Sequence, residues 1–196
     1  MIDLFENDKL DLSNITCHSG GAKGSDSFFD TIGDKYGVKT KAYSYKTKYH
    51  DGPNKVEISE EDFEEGKIEI KKANKILMRR GIEKYMNLLA RNWAQVKYSD
   101  EIFAIGKICR SVKTETISGG TGYACAMAVQ NNKPLYVFDQ INGKWFKWSF
   151  PKEMFIEIDP PKITCNNFAG IGTREINEYG ITAIKELYER TFETEI

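Results

Sequence analysis

Apolar and polar positions along this chain switch repeatedly between two periods. Residues 15–18 are a short apolar run that stops at Ser19-Gly20-Gly21, which predicts a strand and a turn. From 25 to 36, Phe28, Phe29 and Ile32 fall on one face of a helix. Asp26 sits in its first turn, where a carboxylate suits the helix dipole, and Gly37 marks its end. Alternation over 38–45 predicts a second strand. The polar stretch 45–59, with Asp51-Gly52-Pro53-Asn54, predicts a surface loop. A charged helix follows over 60–79, with Phe63, Ile68, Ile70, Ile76 and Leu77 as its apolar stripe. After Gly81, a second helix over 82–97 carries Tyr85, Leu88, Leu89, Trp93 and Val96 at helical spacing.

Residues 101–108 are mostly apolar, the pattern of a strand covered on both faces. A loop through 113–116 leads to Ser118-Gly119-Gly120-Thr121-Gly122, then to an alanine-rich helix over 123–131 and an apolar strand over 134–140. Asn142-Gly143 predicts a hairpin turn, with 144–149 as the returning strand. Trp145 and Trp148 fall on opposite faces of it. A short strand over 155–158 precedes Pro160-Pro161. The last unit reads as a strand over 162–168, a turn Ala169-Gly170-Ile171-Gly172-Thr173-Arg174, and a helix over 175–191. Alternating strands and helices predict an α/β fold: a Rossmann-like, three-layer, mainly parallel sheet with helices on both faces and a β-hairpin near 135–149. One domain is expected over 1–196, its sheet completed by the unit 162–192.

Composition narrows the partners. The 28 Lys and Arg residues against 29 Asp and Glu leave a net charge of -1, which disfavours a protein that coats long stretches of nucleic acid. Cys17, Cys109, Cys125 and Cys165 form no C-x-x-C pair. With no secretion signal at the N-terminus, the expectation is a cytoplasmic chain with reduced thiols. No apolar stretch approaches the ~20 residues of a membrane span. Only His18 and His50 are histidines, and no metal-ligand cluster or cofactor is expected.

The candidate chemistry lies in three glycine-rich turns, each placed after a strand and before a helix. Helix N-termini carry unpaired N–H groups and partial positive charge, and glycine lets that backbone approach an anion. The first turn supplies Ser19, Gly20, Gly21, Lys23, Gly24, Ser25 and Asp26. Lys23 faces either a phosphate or solvent, and Asp26 either holds a ribose hydroxyl or supports the turn. The second supplies Gly119, Gly120, Thr121, Gly122 and Tyr123; the third supplies Gly170, Gly172, Thr173 and Arg174, the last a forked donor for phosphate. His18 ends its strand near the first turn, and Arg91-Asn92 approach from the second helix. In open α/β sheets ligands bind beyond the strand carboxyl ends, so the turns are expected to converge on one crevice. Neither G-x-x-x-x-G-K-[ST] nor G-x-G-x-x-G occurs.

Three segments, SGGAKGSD at 19–26, SGGTGYA at 118–124 and FAGIGTRE at 168–175, resemble the SLOG superfamily. That group includes the DprA-like, LOG-like and YspA/YpsA-related proteins. The AGIG[ST]R element usually comes before SGGA-x-GAD; here it comes last, which resembles a circular permutation. LOG-type enzymes carry PGGxGTxxE, whose glutamate helps cleave an N-glycosidic bond. That glutamate position is Ala126 here, with Tyr123 at the threonine and Ser118 at the proline. Glu115, Asp139 and Glu175 are the carboxylates near the turns in sequence.

The resemblance implies a binding protein for a nucleotide or ADP-ribose-like small molecule, in a sensing or sequestering role. The first alternative is a nucleotide N-glycosidase or phosphoribohydrolase. The second is a DprA-like single-stranded DNA binder, using Lys39, Lys41, Lys46 and Lys48 with Tyr43, Tyr45 and Tyr49. Tyr123, Trp145 and Trp148 are candidate base-stacking rings; for the tryptophans, core packing or a homo-oligomer contact is the competing role.

Overall fold

The computed structural model describes residues 14–46 and 53–193. Among the described residues, ten strands and six α-helices run in the order β1 (Thr16–Ser19), α1 (Ser25–Lys35), β2 (Lys39–Ser44), β3 (Lys55–Glu57), α2 (Glu60–Leu77), α3 (Met86–Ala90), α4 (Asn92–Lys97), β4 (Glu101–Gly106), β5 (Ile108–Arg110), β6 (Glu115–Ile117), α5 (Thr121–Gln130), β7 (Leu135–Asp139), β8 (Lys144–Ser149), β9 (Met154–Ile158), β10 (Asn167–Gly172) and α6 (Glu178–Phe192). Eight strands form one sheet in the order β3-β2-β1-β10-β4-β7-β8-β9. The first six pair in parallel; β8 and β9 close the far edge antiparallel. The fold is therefore α/β and Rossmann-like, with the hairpin where the Asn142-Gly143 turn predicts it.

The sheet is covered on both faces because its central strands are apolar on both. In β4, Ile102 and Ala104 pack toward α2, α4 and α5, whereas Phe103 and Ile105 pack toward α1 and α6. The α1–α6 face is aromatic. Tyr188 is fully buried, donates its hydroxyl to the Phe29 carbonyl at 3.1 Å, and meets Phe168 edge-on at 6.1 Å between centroids. On the opposite face α2 starts at Ser59, whose Oγ accepts from Asp62 N, and three acidic residues fill its first turn. Trp145 and Trp148 go one to each core.

The last strand in the chain lies in the middle of the sheet. β10 pairs with β1 on one side and β4 on the other. Read with β10 first and the three-residue edge strand β3 set aside, the order β2-β1-β10-β4-β7 is 3-2-1-4-5 of the doubly wound fold.

Several elements depart from the sequence expectation. The third glycine turn is a strand: β10 spans Asn167–Gly172, and residues 162–166, expected as strand, form a connecting segment. Neither Gly170 nor Gly172 has a left-handed φ. A Cβ at Gly170 would lie 2.4 Å from the Phe29 ring, and one at Gly172 would lie 2.5 Å from the Ile105 carbonyl oxygen. These glycines serve close packing rather than a turn. Arg174 consequently sits in a loop, and α6 starts at Glu178 after the Asn177 cap. The helix expected over 82–97 is three pieces: a 3-10 turn Ile82–Tyr85, then α3 and α4. β3 lies inside the expected loop 45–59, and the expected loop 113–116 contributes to a small antiparallel ribbon of β5 and β6. Lys48, Tyr49, His50, Asp51 and Gly52 lie outside the described residues. Among the described residues, no helix is long and apolar enough to cross a membrane.

Candidate functional site

A cavity of about 790 Å³ opens at the carboxyl ends of β1 and β10, on the α2–α5 side of the sheet. Parts of all three glycine segments line it: Ala22 and Asp26 from the first, Gly119, Gly120, Thr121 and Tyr123 from the second, Gly172, Thr173 and Arg174 from the third. The other predicted residues lie outside this lining. Ser19 and Ser25 are fully buried. Ser25 gives both its N–H and its hydroxyl to the Thr173 carbonyl, at 3.0 and 2.9 Å. Gly21 N–H goes to Ser19 Oγ and Ala22 N–H to Asp26 Oδ2. The first turn thus uses much of its hydrogen-bonding capacity to hold itself and the third segment. Gly24 needs its positive φ of 106°, and a Cβ there would meet the Thr173–Arg174 backbone at 2.6 Å. Lys23 is exposed, and neither it nor Gly20, Gly21, Gly122 or Gly170 is in the cavity lining.

The second turn is more open. Gly119 takes φ 68°, and Gly120 caps α5 without a side chain. Gly122 and Tyr123 direct their N–H groups to the carbonyls of Gly119 and Gly120. The amides of Gly119, Gly120 and Thr121 have no preceding helical carbonyl to bond, the condition under which a helix N-terminus takes an anion. Arg79 fixes this turn by donating to the carbonyls of Ile117 and Gly119, and its guanidinium lies 5.2 Å from the centre of the Tyr123 ring. Asn74 fixes Arg79 in turn, accepting from its N–H and donating to its carbonyl, and accepts from the Tyr123 hydroxyl at 2.9 Å.

Four arginines line the cavity: Arg79, Arg80, Arg91 and Arg174. Among the described residues, two acidic side chains, Asp26 and Glu175, oppose them. Arg91 is only 8% exposed; its Nη1 donates to the carbonyls of Gly20 and Tyr43, at the ends of β1 and β2. Burial pushes its pKa down, and the Asp26 charge pushes it back up. Asp26 joins the two ends of the chain, its Oδ1 accepting from Gly172 N–H at 3.1 Å. Burial raises the pKa of its carboxyl, opposed by Arg91 and by the amides of Ala22, Gly172 and Gly20. One side of the wall is apolar, with Ile82, Tyr85, Leu88 and Leu89 and with Tyr85 60% exposed at the mouth, and Asn92, Gln95 and Ser118 add polar groups to the lining.

The loop carrying Arg174 and Glu175 hangs on Gln140, just beyond β7. Gln140 donates Nε2 to the Glu175 carbonyl at 2.9 Å and accepts from Asn177 N–H at 3.1 Å. Asn177 also donates to the Gln140 carbonyl. Sequence reasoning missed Gln140, Arg79 and Arg80. The pair Arg79-Arg80 before Gly81 was a visible signal, because two cations at a helix end beside a glycine break are free to turn toward a neighbouring anion site.

Other candidates lie elsewhere. His18 is buried, its Nδ1 accepting from the Tyr43 hydroxyl at 2.9 Å and its Nε2 donating to Asn167 Oδ1, the pattern of a neutral structural imidazole. Burial lowers its pKa. Glu115 accepts from Phe155 N–H, and Asp139 caps the hairpin turn through Ile141 N–H and Asn142 Nδ2. Ala126 lines a second cavity of about 470 Å³ beside Trp148, away from the glycine turns. Lys39 and Lys41 are exposed on β2 and Tyr43 is buried; none of the three lines the larger cavity. All four cysteines are free thiols, with Cys17 and Cys125 buried. Comparison with protein-family models, with curated proteins and with solved structures returns no match for this chain.

Proposed function

We propose that this chain binds a phosphate-bearing nucleotide or ADP-ribose-like molecule in the larger cavity, on a SLOG-like scaffold whose first strand–helix unit has moved to the C-terminus. One observation carries the reading: a single cavity at the strand carboxyl ends combines four arginines, the glycine N-terminus of α5 and an apolar wall. The cationic end matches a phosphate, and the wall of Ile82, Tyr85, Leu88 and Leu89 matches a base. Its volume lies within the ordinary range for small-ligand pockets, roughly 300–1,000 Å³. The permuted order supports the family reading, since the relocated strand occupies the position that the first strand of a doubly wound sheet would hold.

The test is thermal unfolding and calorimetry with nucleoside monophosphates, ADP-ribose and NAD, beside the unphosphorylated nucleosides. A phosphate-bearing ligand at about 100 times its Kd is expected to raise the midpoint by roughly 5–10 °C. Nucleosides are expected to do much less. No shift with any phosphorylated ligand at millimolar concentration overturns the proposal. Mass spectrometry of small molecules that co-purify with the native protein identifies the base.

A second reading, cleavage of the N-glycosidic bond, rests on Glu175, an exposed carboxylate on the cavity wall. It requires release of free base from a bound nucleotide, lost in Glu175→Gln. Tight binding without product excludes it.

A further inference from the structure

The floor of the cavity differs from its rim. The rim carries net positive charge from Arg79, Arg80 and Arg174, of which Arg80 and Arg174 are exposed, together with the open amides of α5. The floor is close to neutral and almost closed to solvent: Asp26, Arg91 and Gln95 are 5%, 8% and 2% exposed. Their polar ends converge. The Cβ position of Gly20 lies 2.4 Å from Gln95 Nε2, 2.5 Å from Asp26 Oδ2 and 3.0 Å from Arg91 Nη2. A Cβ at residue 20 would push the ends of these side chains aside.

No ion pair joins Arg91 to Asp26 among the described residues, nor does a hydrogen bond join either to Gln95. Arg91 Nη1 is committed to two backbone carbonyls, whereas Nη2 takes part in no hydrogen bond among the described residues. Asp26 Oδ2 receives a long bond, 3.4 Å from Ala22 N–H, and the Gly20 amide also faces the carboxyl, which leaves the oxygen able to accept a further donor. The floor therefore presents an acceptor and two donors, gathered within a few ångströms and buried. A phosphate would be repelled by the Asp26 carboxylate. A hydroxyl group suits it, because one hydroxyl donates to a carboxylate while accepting from a guanidinium or an amide. Two adjacent hydroxyls would use all three groups.

We infer that Asp26, Arg91 and Gln95 form a subsite for a vicinal diol, and that the cavity selects ribonucleotides over their deoxy counterparts. This rests on the nucleotide reading and assigns its parts: the diol at the floor, the phosphate at the arginine rim and α5, the base along Tyr85 and Leu88. Gly20 and Asp26 then serve one purpose in the first glycine segment, which shapes the sugar subsite and leaves the phosphate to the second.

The experiment is calorimetric titration of the wild-type chain with AMP, GMP, CMP, UMP and ADP-ribose, then with the 2′-deoxy and 3′-deoxy forms of whichever binds. Loss of either hydroxyl is expected to weaken binding about tenfold or more, because it leaves buried polar groups unpaired. In Gln95→Leu, which retains side-chain bulk, the preference for the ribo form is expected to fall severalfold; its thermal midpoint monitors folding. Equal affinity, within about twofold, for ribo and deoxy forms overturns the diol subsite and leaves nucleotide binding standing. Absence of binding by every nucleotide overturns both.

Discussion

Replacing Asp30 by asparagine should make the protein more stable at pH 8 and leave it unchanged at pH 4. Asp30 lies on α1 one turn beyond Asp26 and one turn before Asp34. Its Oδ1 is buried without a partner. Burial is the main cause that pushes its carboxyl up from 3.8 to about 7, followed by the negative charge of Asp26 and, more weakly, that of Asp34, against a hydrogen bond from Ser19 that pulls it down. The folded state therefore holds a proton that the unfolded state releases, so stability falls as pH rises from about 4 through about 7. Moving the half-titration point that far corresponds to about 4 kcal/mol, and partial hydration of the group reduces the measurable part to about 2–4 kcal/mol. Asparagine keeps the shape and removes the charge. At pH 8 the urea midpoint of Asp30→Asn should exceed that of the native chain by about 1 M; at pH 4 the two should agree. Equal midpoints at pH 8, or the same difference at both pH values, would show that Asp30 is not held protonated by its surroundings.

Further expectations concern the cavity and the helix crossing that supports it. Gln140→Ala should weaken nucleotide binding about tenfold by loosening the loop of Arg174 and Glu175 while costing only about 1 kcal/mol in stability; calorimetry beside urea unfolding separates the two, and unaltered affinity removes Gln140 as a positioning residue. Arg79→Met should lower affinity for phosphorylated ligands and leave that for unphosphorylated nucleosides nearly constant, since it releases the Gly119 turn but not the apolar wall. At Gly66, a Cβ would lie 2.3 Å from the Ala90 carbonyl oxygen, so Gly66→Ala should destabilise by about 1–3 kcal/mol in chemical denaturation. Binding at 50 mM and 300 mM salt should differ severalfold for a ligand held by rim arginines; an unchanged Kd would move the anion to a buried position.

Periodicity made most elements legible because burial dictates it. β4 reads apolar after Glu101 because both of its faces are covered, and α1 reads as a helix between its acidic first turn and Gly37. Glycine was ambiguous. At Gly119 it marks a positive φ, whereas in β10 it marks contact with Phe29 and Ile105, and composition alone does not separate the two uses. β3 and the β5–β6 ribbon are only three residues per strand, too short for alternation to register. The convergence of the glycine segments followed from the fold rule, but the selection among their residues did not. It depends on partners far apart in sequence, such as the Ser25 to Thr173 bonds that turn the first α1 amide away from the cavity.

Those same bonds explain why a C-terminal strand can complete an N-terminal site. β10 enters between β1 and β4 with two glycines, Gly170 and Gly172, facing α1, which admit its Phe29 and Ser25 close against the strand. Once seated, its Gly172 amide is taken by Asp26 and its Thr173 carbonyl by Ser25, so the polar groups at the strand ends are satisfied across the junction of the two chain ends. Asp26 then has two uses that do not compete: one oxygen holds β10 in register while the other faces the cavity floor. Docking of the last strand and formation of the pocket are accordingly one event. A change that detaches β10 removes the Arg174 wall and the anchor of Asp26 together, even though every residue of the first glycine segment is still present.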